Sequence, residues 1–162
     1  MRYADTDSLA DVFRTTYWVI QQQTDGLTHA DSLRQLPFRG NCLNWVLGHI
    51  LASRSRVLEH LGQEPLWDED RIACYARDSS PVTEGQDAVA FEEMLSDLAR
   101  SQEQILAGLA AISTQELERT VPWGQGERPV AWVVGFLAWH ETYHTGQLEY
   151  LRQLAGKNDA VI

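Results

Sequence analysis

The feature that most constrains this chain is a helical spacing of apolar residues in four long segments, at about residues 8–23, 41–62, 88–112 and 129–156. Residues that recur at three- and four-residue steps lie on one face of an α-helix, whereas a half-buried strand alternates apolar and polar positions. No segment shows that sustained alternation. The sequence therefore predicts an all-α protein without strands, and four helices of this length predict a four-helix bundle.

Capping residues predict where these helices begin and end. Asn41 is a good N-cap for the second helix, and Pro129 suits the first turn of the fourth. Gly26 and Gly62 stand where helices stop, since glycine readily takes the left-handed conformation at a helix end. A long connection, 63–87, joins the second and third helices. Two interpretations remain open for it, a flap over a functional site or a strap that crosses between the ends of the bundle.

Composition limits the domain count and the partners. A chain of 162 residues that is 44% hydrophobic can bury one core, so we expect residues 1–162 to form a single domain. With 13 Lys and Arg against 23 Asp and Glu, the net charge of −10 repels phosphate backbones and anionic lipids. The longest apolar stretch, 129–139, is shorter than the ~20 residues that span a bilayer. We therefore expect neither nucleic acid nor a membrane as a partner.

The two cysteines, Cys42 and Cys74, are too few for a disulfide framework. Free thiols fit a reducing compartment, and the acidic residues near Met1 speak against a secretion signal, so we expect a cytoplasmic protein. Cys42 precedes His49 by about two helical turns. A small buried residue is the favoured interpretation of Cys42, with a thiol beside a functional site as the alternative.

The fourth predicted helix carries two histidines, His140 and His144, on the same face as its apolar residues. Four residues apart, they lie on adjacent turns, where both rings can bind one metal ion. A single histidine on an apolar face is more often a hydrogen-bonded core residue. Two at this spacing favour metal, because a buried ring with an unmet nitrogen costs about 1–3 kcal/mol.

The string His140-Glu-Thr-Tyr-His144 also matches the zinc-protease motif, in which the glutamate is the general base. Those enzymes take a third ligand downstream of the second histidine. The residues after His144 contain no histidine, and Glu149 lies on the far flank of the same helix. A protease of this kind also needs a strand edge to hold the peptide. We therefore expect no peptidase activity.

A third ligand must then come from upstream, where His29, His49 and His60 are the candidates. His49 lies in the middle of the second predicted helix, at the border of its apolar face, where its ring can turn into the bundle. His29 lies in a polar loop and His60 lies near the last turn of that helix, so an exposed position is favoured for both. His49 is therefore the best candidate.

The candidate ligands lie in two longer motifs, namely His49 in Asn-Trp-Val-Leu-Gly-His-Ile and the run that starts at His140, His-Glu-Thr-Tyr-His-Thr-Gly-Gln-Leu-Glu-Tyr-Leu-Arg-Gln-Leu-Ala-Gly. These motifs carry a resemblance to the DinB-like metal-binding four-helix bundles. It implies that His49, His140 and His144 bind one divalent metal ion, for which Zn, Ni, Fe and Mn are all suitable. It also implies that Gly146 allows close helix approach and that Gln147 is a pocket residue. Three imidazole ligands would leave positions open for water and substrate.

The known activities of that family are thiol transfer and thiol-dependent isomerisation, in which a metal activates the sulfur of a small thiol. The resemblance therefore implies a metal-dependent enzyme acting on a small molecule, of the thiol S-transferase type. A metal-activated water would instead give a hydrolase, and a structural site would give a non-catalytic, stress-related metal-binding module. Glu141 would be a base or an outer-shell group beside the histidines, with a solvated rim carboxylate as the alternative.

The aromatic residues add two expectations. We expect Trp45, Trp67 and Trp139 to surround the site, with Trp45 as a pocket residue, which suits a small organic substrate better than a polymer. Six Trp exceed what one small bundle easily covers. Because members of the family are also often dimers, we expect a homodimer.

Overall fold

This computed structural model describes residues 5–83 and 88–159. Its fold is mainly helical. In chain order the elements are α1 (Thr6–Thr24), α2 (His29–Ser32), α3 (Leu43–His60), α4 (Glu69–Cys74), α5 (Phe91–Ala111), α6 (Thr114–Glu118), β1 (Thr120–Trp123), β2 (Gly126–Pro129) and α7 (Val130–Leu154). The long helices α1 and α3 each pack against both α5 and α7, which turns all four apolar faces inward. The all-α prediction is confirmed. Among the described residues, no helix is both long and apolar enough to cross a membrane.

The expectation that the chain lacks strands is wrong at one place. β1 and β2 form an antiparallel hairpin before α7, in which Thr120 pairs with Pro129 and Trp123 pairs with Gly126. Gly124, at φ 59°, makes the turn in a conformation that glycine adopts without strain. Strands of four residues are too short to show a sustained alternation, so this segment resembles a turn-rich loop in the sequence.

The helix ends follow the predicted capping in part. Gly26 and Gly62, at φ 67° and 70°, follow the last turns of α1 and α3 in the left-handed conformation, as predicted. Cys42, and not Asn41, is the N-cap of α3, and no side chain caps that end. Pro129 is the N-cap of α7 and not a first-turn residue, because it is still paired in β2.

The connection after α3 is a packed strap over its described length, 63–83. Trp67 and Tyr75, on either side of α4, are buried in the core. The Tyr75 hydroxyl donates a hydrogen bond to Oδ1 of Asn44 in α3 at 3.1 Å. These contacts hold the strap against the bundle, so this part of the connection is not a free flap. Residues 84–87 lie outside the described residues.

Candidate metal centre

Three histidines from two packed helices converge. His49 lies in α3, and His140 and His144 lie one turn apart in α7. Nε2 of His140 is 3.3 Å from Nε2 of His49 and 3.1 Å from Nε2 of His144. The three rings offer ligand atoms that all lie within 4.8 Å of one another. The structure thus brings together the three histidines that the sequence singled out, and together they could hold one metal ion.

The outer nitrogens of two of these rings contact hydrogen-bond acceptors. Nδ1 of His49 lies 2.6 Å from the Tyr75 carbonyl oxygen, and Nδ1 of His144 lies 2.8 Å from Oε1 of Gln147. Because a carbonyl oxygen can only accept, each Nδ1 carries the proton and donates it. Each Nε2 therefore directs a lone pair towards the other rings, which is the usual orientation of a metal-binding imidazole.

Ser53 fixes the third ring in the same way. Its hydroxyl donates to the carbonyl oxygen of His49 at 2.9 Å, so its lone pairs remain to accept from Nδ1 of His140 at 3.4 Å. All three Nδ1 atoms then face acceptors, and all three Nε2 lone pairs face one another. The partial negative charges on these three Nε2 atoms repel one another, and a cation bound between them offsets the repulsion.

Burial and mutual proximity keep the three imidazoles neutral at pH 7. Burial, with smaller contributions from His144 and His49, lowers the pKa of His140 to about 4. Burial also lowers the pKa values of His49 and His144, although their hydrogen bonds to Tyr75 and Gln147 act in the opposite direction. Neutral imidazole is the form that binds metal. The residues present therefore fit a divalent ion, and their nitrogen donors suit Zn, Ni, Fe or Mn.

The three histidines line one side of a cleft of about 840 Å³. Trp45 stacks on the His49 ring, with ring centroids 4.8 Å apart and planes inclined by 10°. Nε1 of Trp45 donates to Oγ of Ser79 in the strap at 2.9 Å, which fixes the indole. Trp139 and Tyr143 also line the cleft. Its volume lies within the range of roughly 300–1,000 Å³ that is typical of small-molecule sites.

Two residues expected near the site have other positions. Trp67, in the strap, is buried in the core, where its Nε1 donates to Oδ2 of Asp97 at 2.7 Å, so it is not part of the aromatic surround. Gly146 lies on the exposed face of α7, and no neighbouring helix or loop comes within 4 Å of the place that a Cβ would take. It therefore does not serve close helix approach. By contrast, Gln147 and Trp45 line the cleft.

Glu141 is not a solvated rim carboxylate, and it is not among the residues that line the cleft. It is 1% exposed, and Arg54 donates to both of its oxygens, from Nε at 2.8 Å and from Nη2 at 2.7 Å. Thr16 donates to the same carboxylate, and Nη1 of Arg54 donates to Oγ of Ser101 at 3.0 Å. The group joins α1, α3, α5 and α7. Glu141 therefore positions α7. The sequence signal for this ion pair was Arg54, a charged residue in the apolar middle of α3, which requires an acidic partner.

The remaining histidines and cysteines lie apart from the three rings. His29 is half-buried rather than exposed, and its Nδ1 accepts from the Phe91 amide at 3.3 Å. His60 is also half-buried, at the end of α3, where burial lowers its pKa. Cys42 is buried, as favoured, and Cys74 is exposed. Within residues 5–83 and 88–159, no Cys, Asp or Glu joins the cluster of three histidines.

Four contributors to the site were not found from the sequence. Tyr75 acts through its carbonyl oxygen, which any residue would supply, so no side-chain signal exists for it. Ser53 follows His49 by four residues, and this spacing on one helix face was the available signal. Arg39 and Arg77 reach the cleft from loops, where helical periodicity gives no guidance.

Comparisons with known proteins agree with this fold. A family model described as the DinB superfamily matches residues 13–148, a span that includes all three histidines. A solved structure titled "Crystal structure of the conserved protein of locus from Enterococcus faecalis" is similar, with a TM-score of 0.70 and 16% sequence identity. The match covers 94% of this chain and 98% of that chain, and at this identity it shows the fold alone. No curated protein matches the chain.

Proposed function

This chain belongs to the DinB superfamily, and on that premise we propose that it is a metal-dependent enzyme that transfers a small thiol to an organic electrophile. His49, His140 and His144 would hold one divalent ion. The observation that carries the proposal is the convergence of their three Nε2 atoms while all three Nδ1 atoms face acceptors. Without a cation the Nε2 lone pairs repel one another, and a bound cation turns this repulsion into attraction to the metal.

The number of protein ligands supports an enzyme over a structural site. Structural zinc sites usually have four protein ligands, whereas catalytic sites have three and keep a position for water or substrate. Over the described ranges, only the three histidines offer ligand atoms to this cluster. The cleft beside them has the size of a small-molecule site.

A divalent ion at these nitrogens would hold a thiol sulfur as thiolate at neutral pH. The chain itself supplies the position of the ligands and of the substrate. Tyr75 and Gln147 fix two of the rings, while Trp45 and Trp139 form apolar walls. In the transfer, the sulfur–carbon bond forms, the bond from carbon to the leaving group breaks, and the thiol proton goes to solvent.

The position of Glu141 favours a thiol over water as the nucleophile. Proteases with the same motif use the glutamate as the base that accepts the proton of water. Here both carboxylate oxygens are bonded to Arg54, so Glu141 is not available for that step. A thiol, with a pKa of about 8–9, loses its proton far more readily than water does.

Metal analysis of untagged protein, combined with a thiol-transfer assay, tests the proposal. The assay offers a panel of small thiols with several electrophiles, and compares the wild type with His144→Ala. His60→Ala is the matched control, because His60 lies in the same bundle but outside the cluster. We expect about one metal per chain and a metal-dependent rate that only His144→Ala abolishes. Ester hydrolysis without any thiol would instead support the hydrolase, and no rate above metal-free protein would leave a non-catalytic module.

We also propose a cytoplasmic location, with a small molecule and neither nucleic acid nor a membrane as the partner. Cys42 and Cys74 are free, which fits a reducing compartment that contains small thiols. The net charge of −10 opposes contact with nucleic acid and with anionic lipid.

A further inference from the structure

The cleft beside the three histidines has a charge opposite to that of the rest of the chain. The chain carries 23 Asp and Glu against 13 Lys and Arg. None of the sixteen described residues that line the cleft is acidic, and two of them, Arg39 and Arg77, are cationic. The side chains that line the cleft are therefore formally cationic, in a chain whose net charge is −10.

Among the described residues, neither of the two arginines is held in a close ion pair, unlike Arg14 elsewhere on the surface. Arg14 pairs closely with Asp11, at 2.8 Å. Arg77 has only a long contact with Asp78, at 3.8 Å between side chains that are 92% and 90% exposed. Arg39 makes no ion pair with any residue in the described parts of the chain. Both guanidinium groups therefore keep most of their donors for a ligand.

The fold brings these arginines to the cleft from two separate segments. Arg39 lies in the loop before α3, and Arg77 lies in the strap after α4. Apolar and aromatic side chains, including Phe38 and Trp139, line the cleft together with them. The cleft thus combines an aromatic wall, a cationic edge and the three imidazoles.

We propose that the substrate of this cleft is a small organic anion with an apolar body. Its carboxylate or phosphate oxygens contact Arg39 and Arg77, and its body lies against Trp45 and Trp139. Guanidinium groups bind both oxyanions through paired N–H donors. The proposal rests on the proposed function for the reaction, but the contact between anion and arginine does not require the metal.

A charge-matched set of probes tests this on the full chain. The probes are 3-phenylpropanoate, 3-phenylpropyl phosphate and the neutral 3-phenylpropanamide, and their affinities are measured by calorimetry with metal-loaded and with chelator-treated protein. We expect at least one of the two anions to bind about tenfold more tightly than the amide in both samples. Which anion binds better identifies the oxyanion. Because the arginines are exposed, the preference should weaken at 0.5 M salt.

The variant Arg39→Gln/Arg77→Gln should reduce the preference for the anion to less than about twofold. Arg14→Gln is the matched control, since Arg14 is an exposed arginine outside the cleft, and it should keep the preference. All variants should retain the wild-type unfolding temperature, because neither cleft arginine is buried.

Three results would overturn the inference. They are equal binding of anions and amide by the wild type, a preference that survives in the double arginine variant, and a preference that disappears on chelation. Metal content is measured on the same samples. A chain without metal that still shows the arginine-dependent preference would refute the proposed function and leave this inference standing, and a metalloprotein without the preference would do the reverse.

Discussion

Gly48 lies so close to Tyr75 that a Cβ on Gly48 would overlap the phenol ring. His49 follows Gly48 in the chain, and the Tyr75 carbonyl is the oxygen that accepts from Nδ1 of His49. The missing side chain therefore lets the strap approach α3 closely enough for its backbone to orient one of the three rings.

We expect Gly48→Ala to lower both the free energy of unfolding and the affinity for metal. Overpacking costs about 1–3 kcal/mol, and loss of a group that orients a ligand typically weakens metal binding about 10- to 100-fold. Denaturant titration and metal competition measure the two effects. Gly146→Ala is the control, because its Cβ meets nothing and alanine favours the helix by up to about 1 kcal/mol. An unchanged metal affinity in Gly48→Ala would contradict the role given to Tyr75.

The free energy of unfolding of Glu141→Gln should be about 3–5 kcal/mol lower than that of the wild type, because the substitution leaves the buried guanidinium of Arg54 without its charge partner. Urea titration measures this, and Glu149→Gln, on the exposed face of α7, should change stability by less than about 0.5 kcal/mol. Any folded Glu141→Gln protein should keep its metal. A variant of wild-type stability that has lost all activity would instead make Glu141 a catalytic base.

Single alanine variants should distinguish the three histidines of the site from the two other histidines by their metal content. We expect His49→Ala, His140→Ala and His144→Ala each to abolish stoichiometric metal binding, since two remaining nitrogens bind an ion weakly. Elemental analysis of untagged protein after dialysis gives the stoichiometry. His29→Ala and His60→Ala should retain about one metal per chain, and loss of metal in either of them would show that the ligands are assigned wrongly.

The metal-free protein should lose stability as the pH falls from about 6.5 towards 4. In the folded chain the pKa of His140 is about 4, and those of His49 and His144 are also lowered, whereas the ordinary value is 6.5. Between these values the unfolded chain binds more protons, so acid favours unfolding, and above pH 6.5 the effect is constant. Urea titrations at pH 7.5 and 5 measure the change. His140→Gln should show a smaller loss, and an equal loss would contradict this origin.

Self-association remains a prediction from the sequence. Several large apolar side chains are exposed, namely Trp18, Phe38, Trp139, Tyr143 and Tyr150. We expect light scattering at micromolar concentration to give roughly twice the chain mass of 18.4 kDa, as for a symmetric dimer. A mass of about 18 kDa would contradict it.

The local features of this chain could be predicted from its sequence. The spacing of apolar residues determined the long helices, and the four-residue step between His140 and His144 places both rings on one helix face whatever surrounds them. Gly26 and Gly62 ended their helices as expected, because a left-handed φ at a helix end is a local preference. The prediction that His49 is the third ligand rested on its position at the border of an apolar helix face and on the resemblance to a family.

Only the tertiary structure decided which groups face the histidines. Glu141 is next to His140 in sequence, yet its carboxylate is bonded to Arg54, because the packing of α7 against α3 sets which turns meet. The acceptor at Tyr75 and the two arginines at the cleft belong to the strap and a loop, so their distance from the histidines depends on the path of those segments. Ser53 contacts His140 because α3 packs against α7. Helical periodicity specifies the direction in which a side chain leaves the axis of its helix. It carries no information about which residues of other segments that side chain will meet.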